Sequence, residues 1–321
     1  MKAIVQDRYG PAEVLRLAEV DVPTAGPGQV LVRVHAAGVD PGVWHLMTGL
    51  PYAVRLGYGL RRPRHRVPGL DLSGVVTAVG TGVTAFAPGD EVYGTGAGSF
   101  AEYALAPADR LARKPANLDF VQAAAVPVSG QTALAAVRDA GRLRAGQRVL
   151  VIGAGGGVGS YAVQLAVAAG GRVTGVCGPA KLDLVRSLGA GEVVDYTRDD
   201  LPDQRYDLVI DTAGNRPLSR LRRVLTPTGT LVLVGGEASD GRWLQGFDRQ
   251  LRALALSPFV GPRLVPLVSK ESSANLAVLA ELIEAGRVRP VLDRTFALAE
   301  ASDAIRHVAG GHATGKVVLT M

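Results

Sequence analysis

The chain predicts a two-part α/β protein: a small β-rich domain and a doubly wound parallel sheet covered by helices. Three observations carry that expectation. Residues 1–125 read as short strands punctuated every few positions by Gly and Pro. From about residue 126, near-continuous Val/Ile/Leu runs alternate with helix-length segments, the pattern of buried parallel strands. After residue 270 a helix-plus-strand pattern returns, so the C-terminus is expected to pack back onto the first domain. The predicted boundaries are therefore 1–125 with 271–321 for the first domain and 126–270 for the second. A length of 321 residues allows about two domains at roughly 100–200 residues each.

In the first domain, Gln29–His35 and Gly74–Val79 read as strands, and the turn Pro88-Gly89-Asp90 introduces a third at Glu91–Tyr93. The second domain's strands are expected at Arg148–Ile152, Arg172–Cys177, Glu192–Val194, Leu208–Asp211 and Thr230–Val234, with Leu264–Val268 as a sixth. A helix over Ser160–Ala169 carries enough apolar residues to cover a sheet face. The tail predicts a helix at Asn275–Ala285, a strand at Val291–Phe296, a helix around Ala299–Val308 and a last strand at Val317–Leu319.

Composition excludes several classes. Gly is 41 of 321, yet 47% of residues are hydrophobic, so the glycines sit in a foldable chain rather than in a collagen or a disordered linker. No run of roughly 18 apolar residues predicts a membrane span. The single cysteine, Cys177, allows neither an internal disulfide nor a cysteine-cluster zinc site. With Lys2 and Asp7 interrupting any signal core, the expected setting is cytoplasmic. A net charge of +6 is spread along the chain, and the dense stretch Arg55–Arg66 reads as a solvated basic loop rather than a nucleic-acid surface.

The chemistry-bearing motif follows the strand Val149–Ile152. Gly153-Ala154-Gly155-Gly156-Gly157-Val158-Gly159 runs into a helix, and strand, glycine turn and helix opening together form a dinucleotide fingerprint, here A-x-G-x-x-G. Small residues admit the pyrophosphate to unpaired amides at the positive helix end. The second strand ends in Val176-Cys177-Gly178-Pro179-Ala180-Lys181, without the carboxylate that repels a 2′-phosphate, which favours NADP(H) over NAD(H).

The chain resembles the zinc-free medium-chain dehydrogenase/reductases, specifically the quinone oxidoreductase (zeta-crystallin-like) branch. The resemblance runs nearly end to end, through Pro68–Val76, Gly89–Gly94, Gly98–Tyr103, the glycine turn, Leu188–Ala190, Asp211–Gly214, Val234–Gly236 and Gly315–Leu319. It implies a GroES-like β domain, completed by the C-terminus, around a Rossmann domain, with the active site in the cleft between them. It also implies a cofactor set of Asp40, Thr132, Gly155, Gly156, Gly157, Val158, Cys177, Gly178, Lys181, Tyr196, Thr212, Ala213, Gly214, Val234, Gly235, Gly236 and Lys316. Zinc-dependent relatives carry Cys and His where this chain has Asp40 and Leu70, so no metal is expected. Quinone reductases commonly have Asn at position 40, Asp at position 43 and a polar or aromatic residue at position 134, here Asp40, Val43 and Leu134.

The activity so implied is NADPH-dependent hydride delivery to a quinone or activated enone, with Tyr52 and His45 as candidate proton donors or oxygen binders and His65 behind them. The alternatives are a non-catalytic NADPH-binding protein, crystallin-like or sensing, and a zinc-free alcohol dehydrogenase-like enzyme of another substrate class. An acyl hydrolase is disfavoured because no G-x-S-x-G elbow occurs. No nucleic-acid or membrane partner is expected. A homodimer through the outer strand Leu264–Val268 is, because pairing removes an apolar edge. The long segment Trp44–Arg66 is expected to act as a lid over the acceptor.

Overall fold

The computed structural model describes residues 1–235, 243 and 247–321, and divides the chain into two compact units. Met1–Gln131 with Glu271–Met321 forms the first, and Thr132–Lys270 the second. The first crossing falls later than the 125/126 expected from composition because the helix Pro127–Leu134 runs across it.

The first unit opens with β1 (Lys2–Val5) and β2 (Arg16–Glu19), an antiparallel pair. Five strands follow: β3 (Gln29–Val39), β4 (Asp71–Val79), β5 (Glu91–Thr95), β6 (Tyr103–Pro107) and β7 (Leu111–Arg113). β3 and β5 start where expected but end four and two residues later, β4 starts three residues earlier, and β6 and β7 are absent from the sequence expectation. Between β3 and β4 the expected lid is ordered. Helix Pro41–Thr48 takes Pro at its first position, where a missing N–H costs nothing, and ends on Gly49 at φ 63°. Short helices Tyr52–Val54 and Arg55–Tyr58 continue it. Arg55 anchors the segment: its guanidinium lies 4.5 Å from the Tyr9 ring centre and 4.7 Å from that of Tyr52, and its Nε donates to the Gly49 carbonyl at 3.0 Å. The segment is thus tied to the N-terminus by stacking and hydrogen bonds, not a featureless basic loop.

The second unit is a six-stranded, all-parallel sheet made of β8 (Arg148–Ile152), β9 (Arg172–Cys177), β10 (Glu192–Asp195), β11 (Tyr206–Asp211), β12 (Leu225–Leu233) and β13 (Arg263–Pro266). Their order is β10-β9-β8-β11-β12-β13, reversing at β8, the switch point of a doubly wound sheet. Leu150, Ile152, Val209, Leu231, Leu233 and Leu264 pack in its core, and burying each contributes roughly 1.5–3 kcal/mol. β13 is the edge strand, as expected.

The chain then returns to the first unit. Helix Ser273–Glu284 is capped by Ser272, whose side chain accepts from the Asn275 amide. Strands β14 (Leu292–Ala297) and β15 (Lys316–Thr320) complete a sheet of order β14-β15-β3-β4-β5-β7, with β6 pairing β3. β15 runs antiparallel to β3 with Val317 opposite Val39, so the C-terminus does close the first domain's sheet. Val30, Val32, Leu72, Val92, Phe100, Val317 and Leu319 share its core.

Candidate functional site: a glycine turn and a buried charge cluster

The glycine turn is built by close backbone approach. After β8, Gly153 turns at φ 82°, and the amides of Gly153 and Ala154 both donate to the Val176 carbonyl at 3.0 Å, locking the turn to β9. A Cβ on Gly159 would lie 2.0 Å from the Gly153 carbonyl oxygen, so no other residue fits there without moving backbone. Helix Gly157–Ala168 begins with Gly156 as its cap, without a side-chain cap bond, and its first bond runs from the Ser160 amide to the Gly156 carbonyl at 2.9 Å. The amides of Gly157, Val158 and Gly159 therefore precede the helical ladder and form a positive helix end suited to a pyrophosphate. Ala154, at the first fingerprint position, is fully buried against Gly175.

The rim of this turn gathers most of the sequence-implied residues. Lys181, closing the short helix Pro179–Lys181, lies across Gly155, its Cδ 2.7 Å from where a Cβ would stand. Gly178 faces the Tyr196 ring, which is half-exposed. Cys177 is buried at the end of β9, and burial pushes its thiol up, away from reactivity. Thr212 donates its hydroxyl to the Ile152 carbonyl at 2.8 Å, joining β11 to the turn. Thr132 sits half-buried on helix Pro127–Leu134, and Gly236 lies outside the described residues.

Two residues here were not singled out from sequence. Asp211 is fully buried and ion-paired with Arg249. Its Oδ1 accepts from the Ala213 and Gly214 amides at 3.2 Å, while its carbonyl accepts from Val234 and Gly235 at 3.0 and 3.2 Å. One residue thus shapes both loops expected beside the ribose and nicotinamide. Arg216 is half-buried, with its charge felt at Asp211 and Tyr196, and burial lowers its pKa. The Asp-Thr-Ala-Gly run signalled Asp211; nothing in the sequence signalled Arg216.

In the first unit, Asp40 and Lys316 are partners of each other. Lys316 is 2% exposed and Asp40 4%. The register of β15 on β3 sets Lys316 opposite Asp40, and its Nζ donates to Asp40 Oδ1 and, at 3.2 Å, to Asp71 Oδ2. Ser129 donates to Asp40 Oδ1 at 3.1 Å, and the Val128 amide to Asp71 Oδ1 at 2.9 Å. Asp71 passes over Gly38, where a Cβ would stand 2.7 Å from its Oδ2. Two carboxyls within hydrogen-bonding reach thus share one ammonium in a dry site. Burial and the Asp40 charge push the Asp71 carboxyl well above the usual range, whereas Lys316 and three hydrogen bonds overcome burial and hold Asp40 below it. The adjacent aspartates keep Lys316 charged despite burial. These surroundings favour the protonated form of Asp71 over its carboxylate, and Asp40 Oδ2 is buried without a hydrogen-bond partner among the described residues.

His45 and Tyr52 lie in the ordered segment between β3 and β4. The His45 Nδ1 lies 2.8 Å from the Leu50 carbonyl, which can only accept, so Nδ1 is the donor there. Tyr52 is half-buried beneath Arg55. His65 is exposed.

Zinc does not fit this donor set. Leu70 offers no ligand atom, Asp40 and Asp71 already clamp an ammonium, and no group of three His, Cys, Asp or Glu side chains converges among the described residues.

Comparison with known proteins agrees with this architecture. Residues 26–116 match the alcohol dehydrogenase GroES-like domain and residues 188–319 the zinc-binding dehydrogenase domain. The chain is 32% identical to a chloroplast envelope quinone oxidoreductase homolog of Arabidopsis thaliana, covering 99% of this chain and 98% of that protein. It is 35% identical to the NADPH-dependent alkenal/one oxidoreductase, chloroplastic, of the same plant, over 99% of this chain and 79% of the relative. The solved quinone oxidoreductase of Coxiella burnetii superposes with a TM-score of 0.85 at 30% identity, covering 100% of this chain and 99% of that one.

Proposed function

Since the chain belongs to the medium-chain dehydrogenase/reductase family, in its quinone oxidoreductase branch, we propose that it is a metal-independent, NADPH-dependent reductase of quinones or activated enones. The glycine turn carries the reading: its uncapped helix end, with no room for a Cβ at Gly159, fits a pyrophosphate. A bound dihydronicotinamide supplies a hydride, which is the whole of the redox chemistry. The chain's own residues bind and orient. Gly155, Gly156, Gly157 and Val158 hold the pyrophosphate, while Asp211 fixes loops 212–214 and 234–235 in place. Lys181, Tyr196 and Arg216 favour a 2′-phosphate over a free hydroxyl, since the end of β9 carries no competing carboxylate. Thr132 is proposed beside the nicotinamide, and Tyr52 and His45 as proton sources for the reduced acceptor. Asp40 and Lys316 act as positioning residues, because their charges are already satisfied by each other and by Asp71.

Stopped-flow or steady-state loss of 340 nm absorbance with quinones, 2-alkenals and alkyl enones tests the proposal. NADPH consumption with at least one class is expected. Tight NADPH binding with no turnover across the panel supports the non-catalytic alternative, and turnover of saturated alcohols with NADP⁺ supports the third reading.

The buried lone cysteine suits a reducing compartment, and the cytoplasm is the proposed location. We also propose a homodimer. Leu251 and Leu254, on helix Phe247–Leu256, and Phe259 and Val268, on either side of β13, are 57%, 56%, 85% and 84% exposed. Light scattering should give twice 33.3 kDa, and Phe259→Asp should return the monomer; a monomeric parent refutes pairing.

A further inference from the structure

The N-terminal edge of the second unit's sheet holds a feature that coenzyme binding does not use. β11 and β12 pair at Tyr206 and Leu225, then lose register until Leu208 meets Thr230, so the residues between bulge out of the ladder. Under that bulge lies a pocket of about 340 Å³ lined by Arg205, Arg222, Leu225, Thr226, Pro227 and Pro262. Gly261 closes one wall, where a Cβ would meet the Pro227 carbonyl at 2.7 Å.

Its polar groups are donors without an anion. Arg205 is held by the carbonyls of Arg223 and Leu225. The buried Nε of Arg222 and the buried hydroxyl of Thr226 have no hydrogen-bond partner among the described residues. No carboxylate lines the pocket; Asp200 pairs with Arg220, Asp207 accepts from the Arg148 amide, and Glu192 accepts from Thr174 and Gln204. A buried guanidinium N–H left unpaired is costly, and a charged acceptor removes that cost.

We propose that this pocket is a binding site for an oxyanion, a phosphate group carried on a small organic molecule, held by Arg222, Arg205 and the Thr226 hydroxyl. Two arginines and a threonine line this one pocket, and its volume falls at the lower end of small-molecule pockets, larger than a bare phosphate needs. The strands are parallel, so this edge is opposite the glycine turn at the C-terminal end of β8, roughly 15–20 Å away at about 3.3 Å per residue.

The test titrates inorganic phosphate and, separately, ribose 5-phosphate into the NADPH-saturated protein by calorimetry, with chloride at matched ionic strength as control. One saturable site per chain is expected, tighter for ribose 5-phosphate than for phosphate; equal affinities would overturn the organic ligand and keep the oxyanion. Arg222→Gln should weaken both at least tenfold, and Thr226→Val severalfold, with circular dichroism and NADPH affinity unchanged. Absence of a saturable phase, an equal response to chloride, or full affinity in Arg222→Gln overturns the site. Loss of binding in Lys181→Ala with retention in Arg222→Gln would assign the anion to the coenzyme turn instead.

Discussion

The glycine turn of the second unit and the charge cluster of the first both collect polar groups at positions withdrawn from water, by opposite means. The turn uses backbone: the amides of residues 153–159, fixed by one carbonyl of the neighbouring strand, with no side chain allowed at Gly159. The cluster uses side chains, Asp40, Asp71, Ser129 and Lys316, drawn from four distant parts of the chain and bonded to one another and to the Val128 amide. The turn is left open to a ligand. The cluster is buried around one ammonium, and its burial together with the Asp40 charge raises the Asp71 pKa, which favours the protonated carboxyl. A site that binds an anion must keep donors unsatisfied until the ligand arrives, whereas in the cluster every donor, the Lys316 ammonium and the Ser129 hydroxyl, already has an acceptor.

Lys316→Met breaks the comparison at its strongest point. It removes the only ammonium in the cluster and leaves the Asp40 charge buried, which costs about 3–5 kcal/mol by the measure of broken buried pairs. Denaturant unfolding at neutral pH should show that loss in the transition assigned to the first unit. A change below about 1 kcal/mol would mean that the ammonium is not the counter-charge.

This contrast also explains what could be read from sequence. β8 and β9 were legible to the residue, because fully buried parallel strands are continuous apolar runs bounded by Gly or charged residues. The turn was legible because its contacts are local and its glycines are sterically compulsory. β12 was read five residues short: its first half, Leu225–Gly229, contains Pro and Gly and is out of register with β11. Helix Pro41–Thr48, which overlaps the start of the Trp44–Arg66 segment, is not among the expected elements, since its eight residues carry too little periodicity to announce themselves. The Asp40–Asp71–Lys316 cluster was not legible at all as a unit. Asp40 and Lys316 were expected near a cofactor, one by one, and only the β15–β3 register brings them together. Asp71 falls within the Pro68–Val76 motif, where the resemblance attaches no role to it. Arg216 and Arg222 read as ordinary surface arginines, because burial of a single guanidinium atom is decided by tertiary packing.

A smaller effect is expected at the turn's side-chain rim, where Lys181 crosses Gly155. Lys181→Ala should weaken NADPH by on the order of tenfold, one charge-assisted contact being worth roughly 1.5–3 kcal/mol, and leave NADH nearly unchanged. Arg216→Ala should act in the same direction. Fluorescence titration with both coenzymes measures it. Equal loss for NADPH and NADH would place these side chains on the pyrophosphate, and wild-type preference for NADH would reverse the coenzyme assignment.

The smallest effect sharpens the comparison most. If the cluster is closed because Asp71 keeps a proton, Asp71→Asn replaces one neutral group with another and costs under about 1.5 kcal/mol near pH 5, well below the cost of Lys316→Met. The pH dependence has a definite sign. The native Asp71 carboxyl titrates well above its ordinary value of 3.8, so between that value and the raised one the folded state binds more protons than the unfolded state. Stability from this group is fully present below about pH 4 and is lost as pH rises through the native pKa, at up to about 1.4 kcal/mol per pH unit. Asp40 acts oppositely: its depressed pKa gives stability present above the ordinary carboxyl range and lost on acidification. Asp71→Asn deletes the first slope and keeps the second. The stability difference between parent and variant should therefore shrink as pH rises from 5 to 9, measured by denaturant unfolding at each pH. A difference that stays constant would show that Asp71 is ionised in the native protein, and the cluster would then carry a net negative charge rather than a shared proton.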